Sequence, residues 1–264
     1  MHTTATFQTN KLSNNGDGIY LNYSSDNTLR NITTDNNSVG IYLRSSFNNT
    51  LQRITADNSQ EGIYIRNSPN NTLQDITTNN NWWGIDLDSS SGNILQDIIT
   101  GYDDYEGIYL RNSSDNTLRN ITAKHNNEYG IHIRYDSDYN NISDSLIENN
   151  TLAGIYLEES LSGDPEYNTI YNNILNNTVN VDIDSGATGN RWNTTKTIGI
   201  NIVGGQYLGG NYWTNPTGTG WSDICNNTNG DGICDEVYDL GDGNIDYLPL
   251  TTNGTVCILG INLS

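Results

Sequence analysis

Two aspartates, Asp86 and Asp88, stand where a repeated strand motif elsewhere carries tyrosine and arginine. Carboxylates at alternate strand positions share a face about 6.5–7 Å apart, near the lower limit for a glycosidase pair that admits water. Arg66 and Arg111 occupy the same motif position one repeat before and one after. In a lyase, one aspartate would act as the base and an arginine would stabilise the enolate of a uronic acid.

These four residues are therefore the candidate catalytic set. A structural ladder of aspartate and arginine explains the same residues equally well. Neighbouring arginines would also keep both aspartates ionised, which disfavours a general acid.

Tyrosines and arginines recur at the two motif positions that the aspartates interrupt. The apolar faces of sugar rings pack on aromatic rings, and guanidinium groups bind sugar hydroxyls or carboxylates. Exposed tyrosine is also a favoured strand residue, and acidic turns neutralise adjacent arginines, so a structural role stays open. The predicted polysaccharide contacts are Tyr42, Tyr64, Tyr109, His132, Arg44 and Arg134, with Trp82 and Trp83 just before Asp86.

A second chemical motif, N-x-N-x-D-G-x-x-D, lies near the end of the chain. Its alternating oxygens and its glycine resemble a calcium loop, although Tyr238 occupies the place of the usual bidentate glutamate. Calcium is therefore the expected cofactor, and an acidic turn without metal is the alternative. The expected ligands are Asn227, Asn229, Asp231 and Asp235, with Glu236 or Asp239 completing the shell.

Three cysteines accompany this loop. A disulfide between Cys225 and Cys234 would staple the loop in an oxidising compartment and leave Cys257 as a free thiol. Three free thiols are the alternative.

The elements that must position these residues come from a short repeat. The tetrapeptide G-I-x-[LI] occurs seven times at steps of 22 to 24 residues, and each copy is followed by N-[TIN]-[LI]. Each period thus holds two short strands and leaves little room for a helix. The copies of the first block begin at Gly18, Gly40, Gly62, Gly84, Gly107, Gly130 and Gly154.

Within each block the aliphatic residues are two apart, so both point to one face, which must be the interior. Stacking the repeats gives four aliphatic columns, for example Ile41 above Ile63 and Leu51 above Leu73. We therefore predict an all-β, right-handed, single-stranded parallel β-helix of about seven to nine coils. The asparagine that begins each second block is expected to form an inward ladder at a turn.

The repeat fades beyond about Gly186. We therefore expect coils over residues 1–185, and irregular terminal coils with a calcium-binding cap over residues 186–264. Solenoids need caps to cover the last coil. The expected lid is Trp192, Trp213 and Trp221.

A net charge of −20 excludes nucleic acid and anionic lipid surfaces as partners. The sequence has no run of 18 apolar residues, and no charged segment followed by an apolar one opens it. Neither membrane insertion nor a signal peptide is therefore expected.

The coil "GIYLRNSSDNTLRNIT" and the tail "GGNYW…NGDGICDEVYDLGDGNIDYLPL" resemble the NosD-like family of parallel β-helix repeat proteins, especially its archaeal, methanogen-type cell-surface branch. The resemblance implies export and display at the cell surface or outside the cell, often within a larger surface polypeptide, and it implies no single activity. The name-giving members serve copper-site maturation, but one Met and three His are few soft or imidazole ligands for that role.

The sequence is therefore interpreted as a secreted or cell-surface module, structural or polysaccharide-interacting and stabilised by calcium. The alternative is a polysaccharide lyase or glycoside hydrolase acting on the Tyr/Arg sheet near Asp86 and Asp88. Nearly constant turn lengths in the first five coils favour a surface without a deep groove.

Overall fold

The computed structural model describes residues 6–161 and 163–253. Within them the chain is a stack of short strands with one helical turn, α1 (Trp221–Ile224). The strands up to the sixth coil are β1 (Thr6–Ser13), β2 (Asp17–Asn22), β3 (Thr28–Asp35), β4 (Val39–Arg44), β5 (Thr50–Asp57), β6 (Glu61–Arg66), β7 (Thr72–Asn79), β8 (Trp83–Asp88), β9 (Ile94–Gly101), β10 (Ile108–Arg111), β11 (Thr117–Lys124) and β12 (Tyr129–Arg134).

The remaining strands are shorter. They are β13 (Asn141–Ser143), β14 (Leu146–Glu148), β15 (Ala153–Glu158), β16 (Thr169–Tyr171), β17 (Ile174–Asn176), β18 (Val181–Ile183), β19 (Thr197–Ile198), β20 (Tyr207–Leu208), β21 (Tyr212–Thr214), β22 (Tyr238–Gly241) and β23 (Asn244–Asp246).

Two parallel sheets run the length of the stack. The Asn sheet, which we name for the motif that precedes its strands, contains eleven strands and runs from β1 to β21. The Gly sheet contains eight strands in the order β18-β15-β12-β10-β8-β6-β4-β2. Each strand pairs with the equivalent strand of the next coil, so Tyr42 lies opposite Tyr64 and Arg44 opposite Arg66. The fold is a right-handed parallel β-helix, as the repeat predicts.

The core lies between the two sheets and is built from the predicted aliphatic columns. From Ile41 and Leu43 onward, the column residues of the Gly sheet are essentially inaccessible to solvent, and those of the Asn sheet are equally buried from Leu29 onward. Burying a Leu or Ile side chain contributes about 1.5–3 kcal/mol, so each coil adds several such contributions. This thin apolar column is what holds the coils in register.

The predicted asparagine ladder is present and buried. The backbone N–H and the side-chain amide of Asn49 both donate to Oδ1 of Asn71, at 2.8 and 3.1 Å. Asn71 donates in turn to Asn93 through its backbone N–H at 2.8 Å. These bonds satisfy backbone groups at a buried turn, where an unpaired group would be costly. The ladder comprises Asn27, Asn49, Asn71, Asn93, Asn116, Asn140, Asn168 and Asn190.

A second inward ladder lies at the opposite turn and was missed by the sequence analysis. Ser59 donates its backbone N–H to Asn81, and Asn81 donates to the carboxylate of Asp103 at 2.8 Å. Asp103 is the acidic member of this otherwise neutral series and is fully buried. The members are Asn37, Ser59, Asn81, Asp103, Asn126, Asn150 and Asn177.

Tryptophans whose indole N–H groups are hydrogen-bonded lie at the C-terminal end of the stack. Trp192 and Trp213 are fully buried with ring centroids 5.8 Å apart. The indole N–H of Trp192 donates to Asn244 at 3.0 Å, and that of Trp213 donates to Asp246 at 2.8 Å. Trp221 is partly buried and stacks on Tyr238. The three tryptophans that the sequence analysis proposed as a lid therefore lie against the last coils.

Cys225 and Cys234 form a disulfide in this terminal segment. The expected free thiol, Cys257, lies outside the described residues.

Candidate functional site

The tyrosine column of the Gly sheet is stacked on itself. The ring centroids of Tyr20 and Tyr42 are 4.9 Å apart, and those of Tyr42 and Tyr64 are 4.8 Å apart, with nearly parallel planes. This spacing equals the rise of one coil, about 4.8 Å. The ring faces of Tyr42 are therefore covered by the rings of Tyr20 and Tyr64. A sugar on this sheet would meet ring edges and hydroxyl groups.

The fourth coil interrupts the column at Asp86, and the guanidinium of Arg111 occupies the gap. The Cζ atom of Arg111 lies 5.9 Å from the ring centroid of Tyr64 and 5.5 Å from that of Tyr109. Nη2 of Arg111 donates to Oδ2 of Asp86 at 2.8 Å. The cation thus lies near the rings on both sides of the gap, within the range of a cation–π contact.

Asp88 extends this network toward the surface. Its Oδ2 accepts a hydrogen bond from the hydroxyl of Tyr64 at 3.2 Å. The same oxygen lies 3.4 Å from Nε of Arg66 and 3.8 Å from Nη2 of Arg111. The structure therefore brings all four candidate catalytic residues together on adjacent strands.

The two aspartates differ in access to solvent. The side chain of Asp86 is 3% exposed, whereas that of Asp88 is 15% exposed. Burial raises the pKa of Asp86 to about 8, against the lowering effect of Arg111. The sequence-based expectation that arginines keep both carboxyls ionised did not include this loss of solvation at Asp86.

Each arginine of the outer column interacts with the hydroxyl of a tyrosine from an earlier coil. The guanidinium of Arg44 interacts with the hydroxyl of Tyr20, and that of Arg66 with the hydroxyl of Tyr42. Arg111 donates to the hydroxyl of Tyr64 at 3.4 Å. The result is a row of guanidinium groups with restricted positions, which we call the arginine row: Arg44, Arg66, Arg111 and Arg134.

Beyond Asp86 the column continues with His132 in place of a tyrosine. Its ring stacks on Tyr109 at 4.7 Å and on Tyr156 at 4.8 Å. Nδ1 lies 2.9 Å from Glu106 and Nε2 lies 2.8 Å from Glu158. Both ring nitrogens of His132 are therefore engaged by carboxylates.

Glu158 also holds Arg134, at 3.0 Å from its Nε. Beside Arg134 the row ends at a surface groove of about 490 Å³, lined by Arg134, Tyr135, Glu159, Ser160, Leu161 and Asp184.

A third outward column precedes the glycines, and sequence reasoning missed its acidic members. Glu61 lies opposite Trp83 in the strand register. Glu106 follows in the next coil, because its carbonyl accepts from the N–H of Gly84, the residue after Trp83. Both glutamates stand directly before a repeated glycine, but the residue types at that position vary too much from coil to coil to form a motif. Trp82 and Trp83 belong to this edge of the sheet and lie apart from the arginine row.

The expected calcium loop is wrong. In the described part of the chain, no three His, Cys, Asp or Glu side chains converge as a metal site. The oxygens that the motif offered are used by the loop itself: Asn229 accepts from the N–H of Asp231, and Asp235 accepts from Thr228.

The other members of the motif are also engaged elsewhere. Asp231 pairs with Lys196, and the amide of Asn227 donates to the carbonyl of Asn253. Asp239 accepts from Gly241 within a separate hairpin. Alternating spacing alone did not reveal that backbone donors satisfy these oxygens.

Comparison with known proteins identifies the family of this chain. The sequence model of the family described as periplasmic copper-binding protein (NosD) matches residues 1–218. This chain belongs to the NosD family. No functionally curated protein matches the sequence. The archaeal cell-surface branch is not supported by these matches.

Several solved structures are similar to this NosD chain. The periplasmic alginate epimerase AlgG matches with 22% identity and a TM-score of 0.61, over 68% of this chain and 47% of the epimerase. An alginate lyase from Paenibacillus matches with 13% identity and a TM-score of 0.45, over 69% and 70% of the two chains. A tailspike protein of E. coli bacteriophage HK620, in complex with a pentasaccharide, matches with 13% identity and a TM-score of 0.39, over 66% and 42%.

The likeness to the epimerase shows a common fold, and the chain spans less than half of the epimerase's length.

The family is described as copper-binding, so the question is whether this NosD chain has side chains that could bind copper. Copper favours imidazole, thiolate and thioether groups. Both ring nitrogens of His132 face glutamates, and the ring of His125 stacks on Tyr102. Cys225 and Cys234 are joined to each other. The donor set of the described residues therefore does not fit copper.

Among the described residues, no helix has the length and apolar character needed to cross a membrane.

Proposed function

We propose that the outward face of the Gly sheet binds an acidic polysaccharide, whose carboxylates pair with the arginine row. The observation that carries this proposal is the alignment of four arginines on one sheet face of a chain with net charge −20. Guanidinium groups form strong, directional bonds with carboxylates. A polymer lying along the stack would meet guanidinium groups at about the coil spacing of 4.8 Å within each of the pairs Arg44–Arg66 and Arg111–Arg134.

Preorganisation supports this assignment. An arginine that is free in solution loses side-chain entropy when it binds, whereas a guanidinium already held by a neighbour loses less. Asp86 holds Arg111 and Glu158 holds Arg134. The exposed arginines, Arg44 and Arg66, rest on tyrosine hydroxyls. In this account the buried carboxylates position the arginines and do not themselves contact the polymer.

The alternative is a polysaccharide lyase or glycoside hydrolase centred on Asp86 and Asp88. Asp88 favours it, because its partly exposed carboxylate meets a tyrosine hydroxyl and two guanidinium groups. Asp86 disfavours it, because a side chain that is 3% exposed beneath Arg111 offers no access to a sugar. We therefore place binding ahead of catalysis.

The proposed setting is an exported module of a larger surface polypeptide. The family's periplasmic description and the disulfide between Cys225 and Cys234 support export. The resemblance of the tail to the archaeal cell-surface branch supports display at the surface.

The test is calorimetric titration with polygalacturonate, with its fully methyl-esterified form as the matched ligand. Salt of about 0.15 M reduces the screening length to about 8 Å, so the overall negative charge repels the polymer less. We expect binding of the acid form and at least tenfold weaker binding of the ester. Equal affinities would contradict the role of the arginines.

The same mixtures, assayed for new reducing ends and unsaturated products, test the alternative. Product release that Asp88→Asn abolishes would replace the binding account with an enzymatic one.

A further inference from the structure

An exposed aromatic patch lies at the edge of the Gly sheet, away from the arginine row. Trp82 is 45% exposed and Tyr105 is 38% exposed. Trp83 lies between them: its ring stacks on Tyr105 at 4.9 Å and meets Trp82 edge-on at 6.4 Å. Trp82 stands at the end of this cluster and remains partly exposed, whereas the tyrosines of the column stack face to face. The patch therefore presents aromatic surface to solvent.

Two carboxylates belong to the same column as Trp83, Glu61 one coil before it and Glu106 one coil after it. Oε2 of Glu61 and Oε2 of Glu106 are both buried and accept no hydrogen bond from the protein. The side chain of Glu106 is 7% exposed, and its other oxygen is fixed by His132. A buried oxygen without a donor is costly, which indicates a role for a donor from outside the chain.

We propose that this patch, formed by Trp82, Trp83 and Tyr105 with Glu61 and Glu106, binds an amino sugar through its ammonium group. Aromatic rings attract a cation over their faces and also pack against the apolar face of a sugar. The glutamate oxygens would accept the ammonium hydrogens. A net charge of −20 attracts such a ligand.

The charge of Glu61 gives the site a pH dependence. Burial raises the pKa of Glu61 to about 7, with Arg111 opposing that shift and Asp17 and Asp88 adding to it. The carboxylate form, which attracts an ammonium, therefore becomes populated as pH rises through neutrality. Asp86 and Asp88 on the next coil also act on Glu61, and Glu128 and His132 are the titratable groups beside Glu106. We expect affinity to rise with pH as Glu61 ionises and to fall once the ligand's amine deprotonates.

The experiment is a titration of the whole chain with the β-1,4-linked tetramer of glucosamine, using the N-acetylated tetramer as the matched neutral ligand. We expect binding of the amine form and at least tenfold weaker binding of the acetylated form. Glu61→Gln and Trp82→Ala should each weaken binding of the amine about tenfold. The matched controls are Glu159→Gln, which removes an exposed charge elsewhere, and Tyr139→Ala, which removes another exposed ring; both should bind as the parent does.

Equal binding of the two tetramers would overturn the proposal, as would equal losses in the patch variants and in their controls. Tetralysine binding as tightly as the glucosamine tetramer would overturn the assignment to a sugar. Trp82 is exposed, so Trp82→Ala keeps the test decisive if Glu61→Gln does not fold.

The result is separable from the polygalacturonate test. Substituting the exposed arginines Arg44, Arg66 and Arg134 should leave glucosamine binding intact, and Trp82→Ala should leave polygalacturonate binding intact.

Discussion

The guanidinium of Arg111 lies 2.8 Å from the carboxylate of Asp86, in the gap that a missing ring leaves in the tyrosine column. Asp86 is 2% exposed, so its charge has little contact with water. The pair thus exchanges an aromatic stack for a buried ion pair in the fourth coil, the same coil in which Asp88 interrupts the arginine row. Breaking such a pair on one side leaves a buried charge without compensation.

We therefore expect Arg111→Gln to destabilise the chain by about 3 kcal/mol at pH 9. The loss should be smaller at pH 5, where Asp86 is protonated in the folded state and has no charge to compensate. Urea unfolding at the two pH values measures this difference. The double variant Arg111→Gln/Asp86→Asn should regain most of the stability at pH 9. Equal losses at both pH values would show that Arg111 acts through packing alone.

Asp103 provides a second prediction, because it stands in a ladder of neutral amides and hydroxyls. Burial raises the pKa of Asp103 to about 8, although Asn81 and Thr100 donate to its carboxylate. Asp103→Asn should therefore stabilise the chain at pH 8, by an amount on the order of 1–3 kcal/mol. The gain should shrink toward pH 4. Asp75→Asn, at an exposed position, is the control, and an equal gain there would refute the explanation.

The whole chain should be more stable in mild acid than in mild base. The pKa is raised to about 7 in Glu61 and Asp246 and to about 8 in Asp86 and Asp103, chiefly by burial. A carboxyl with a raised folded-state pKa binds its proton more tightly when folded, so its contribution to stability is lost as pH rises through that pKa. We expect the melting temperature to fall steadily from pH 5 to pH 8.5. A rise over that range would contradict these assignments.

Asn71 tests the ladder itself. Its amide donates to the carbonyls of Ser46 and Ser68, and its Oδ1 accepts from the backbone of Asn49. Asn71→Ala leaves several buried groups without partners, each costing about 1–3 kcal/mol. We expect a total loss of about 2–4 kcal/mol in urea unfolding. Gln74→Ala, on the outward face of the next strand, should cost much less.

The sequence predicted the fold well because the strand period forces the aliphatic residues inward. Ile63 and Leu73 are fully buried, as the stacking of repeats requires. The ladder of asparagines was predicted correctly because a polar residue at the same position in every coil must pair with the backbone groups of the same turn. The second ladder escaped because serine and aspartate replace asparagine at Ser59 and Asp103, which interrupts the repeat of asparagine at that turn.

The sequence predicted which residues form the candidate site, but not how deeply they are buried or how they contact one another. Repeat spacing placed Asp86 beside Arg111, but it did not indicate how deeply Asp86 is buried. Tyr42 and Tyr64 were assigned to sugar stacking, yet their ring faces cover each other, which follows from the coil rise and not from residue type. The calcium loop failed because spacing does not show which oxygens the backbone already uses.

The most direct test of the arginine row compares two triple variants of equal charge. One replaces Arg44, Arg66 and Arg134 with glutamine, and the other replaces Arg53, Arg119 and Arg191, which lie off that face. Both remove three positive charges, so any difference reports position. We predict that polygalacturonate affinity, measured by calorimetry, falls at least tenfold in the first variant and less than twofold in the second. Equal losses in the two variants would contradict a binding face on the Gly sheet.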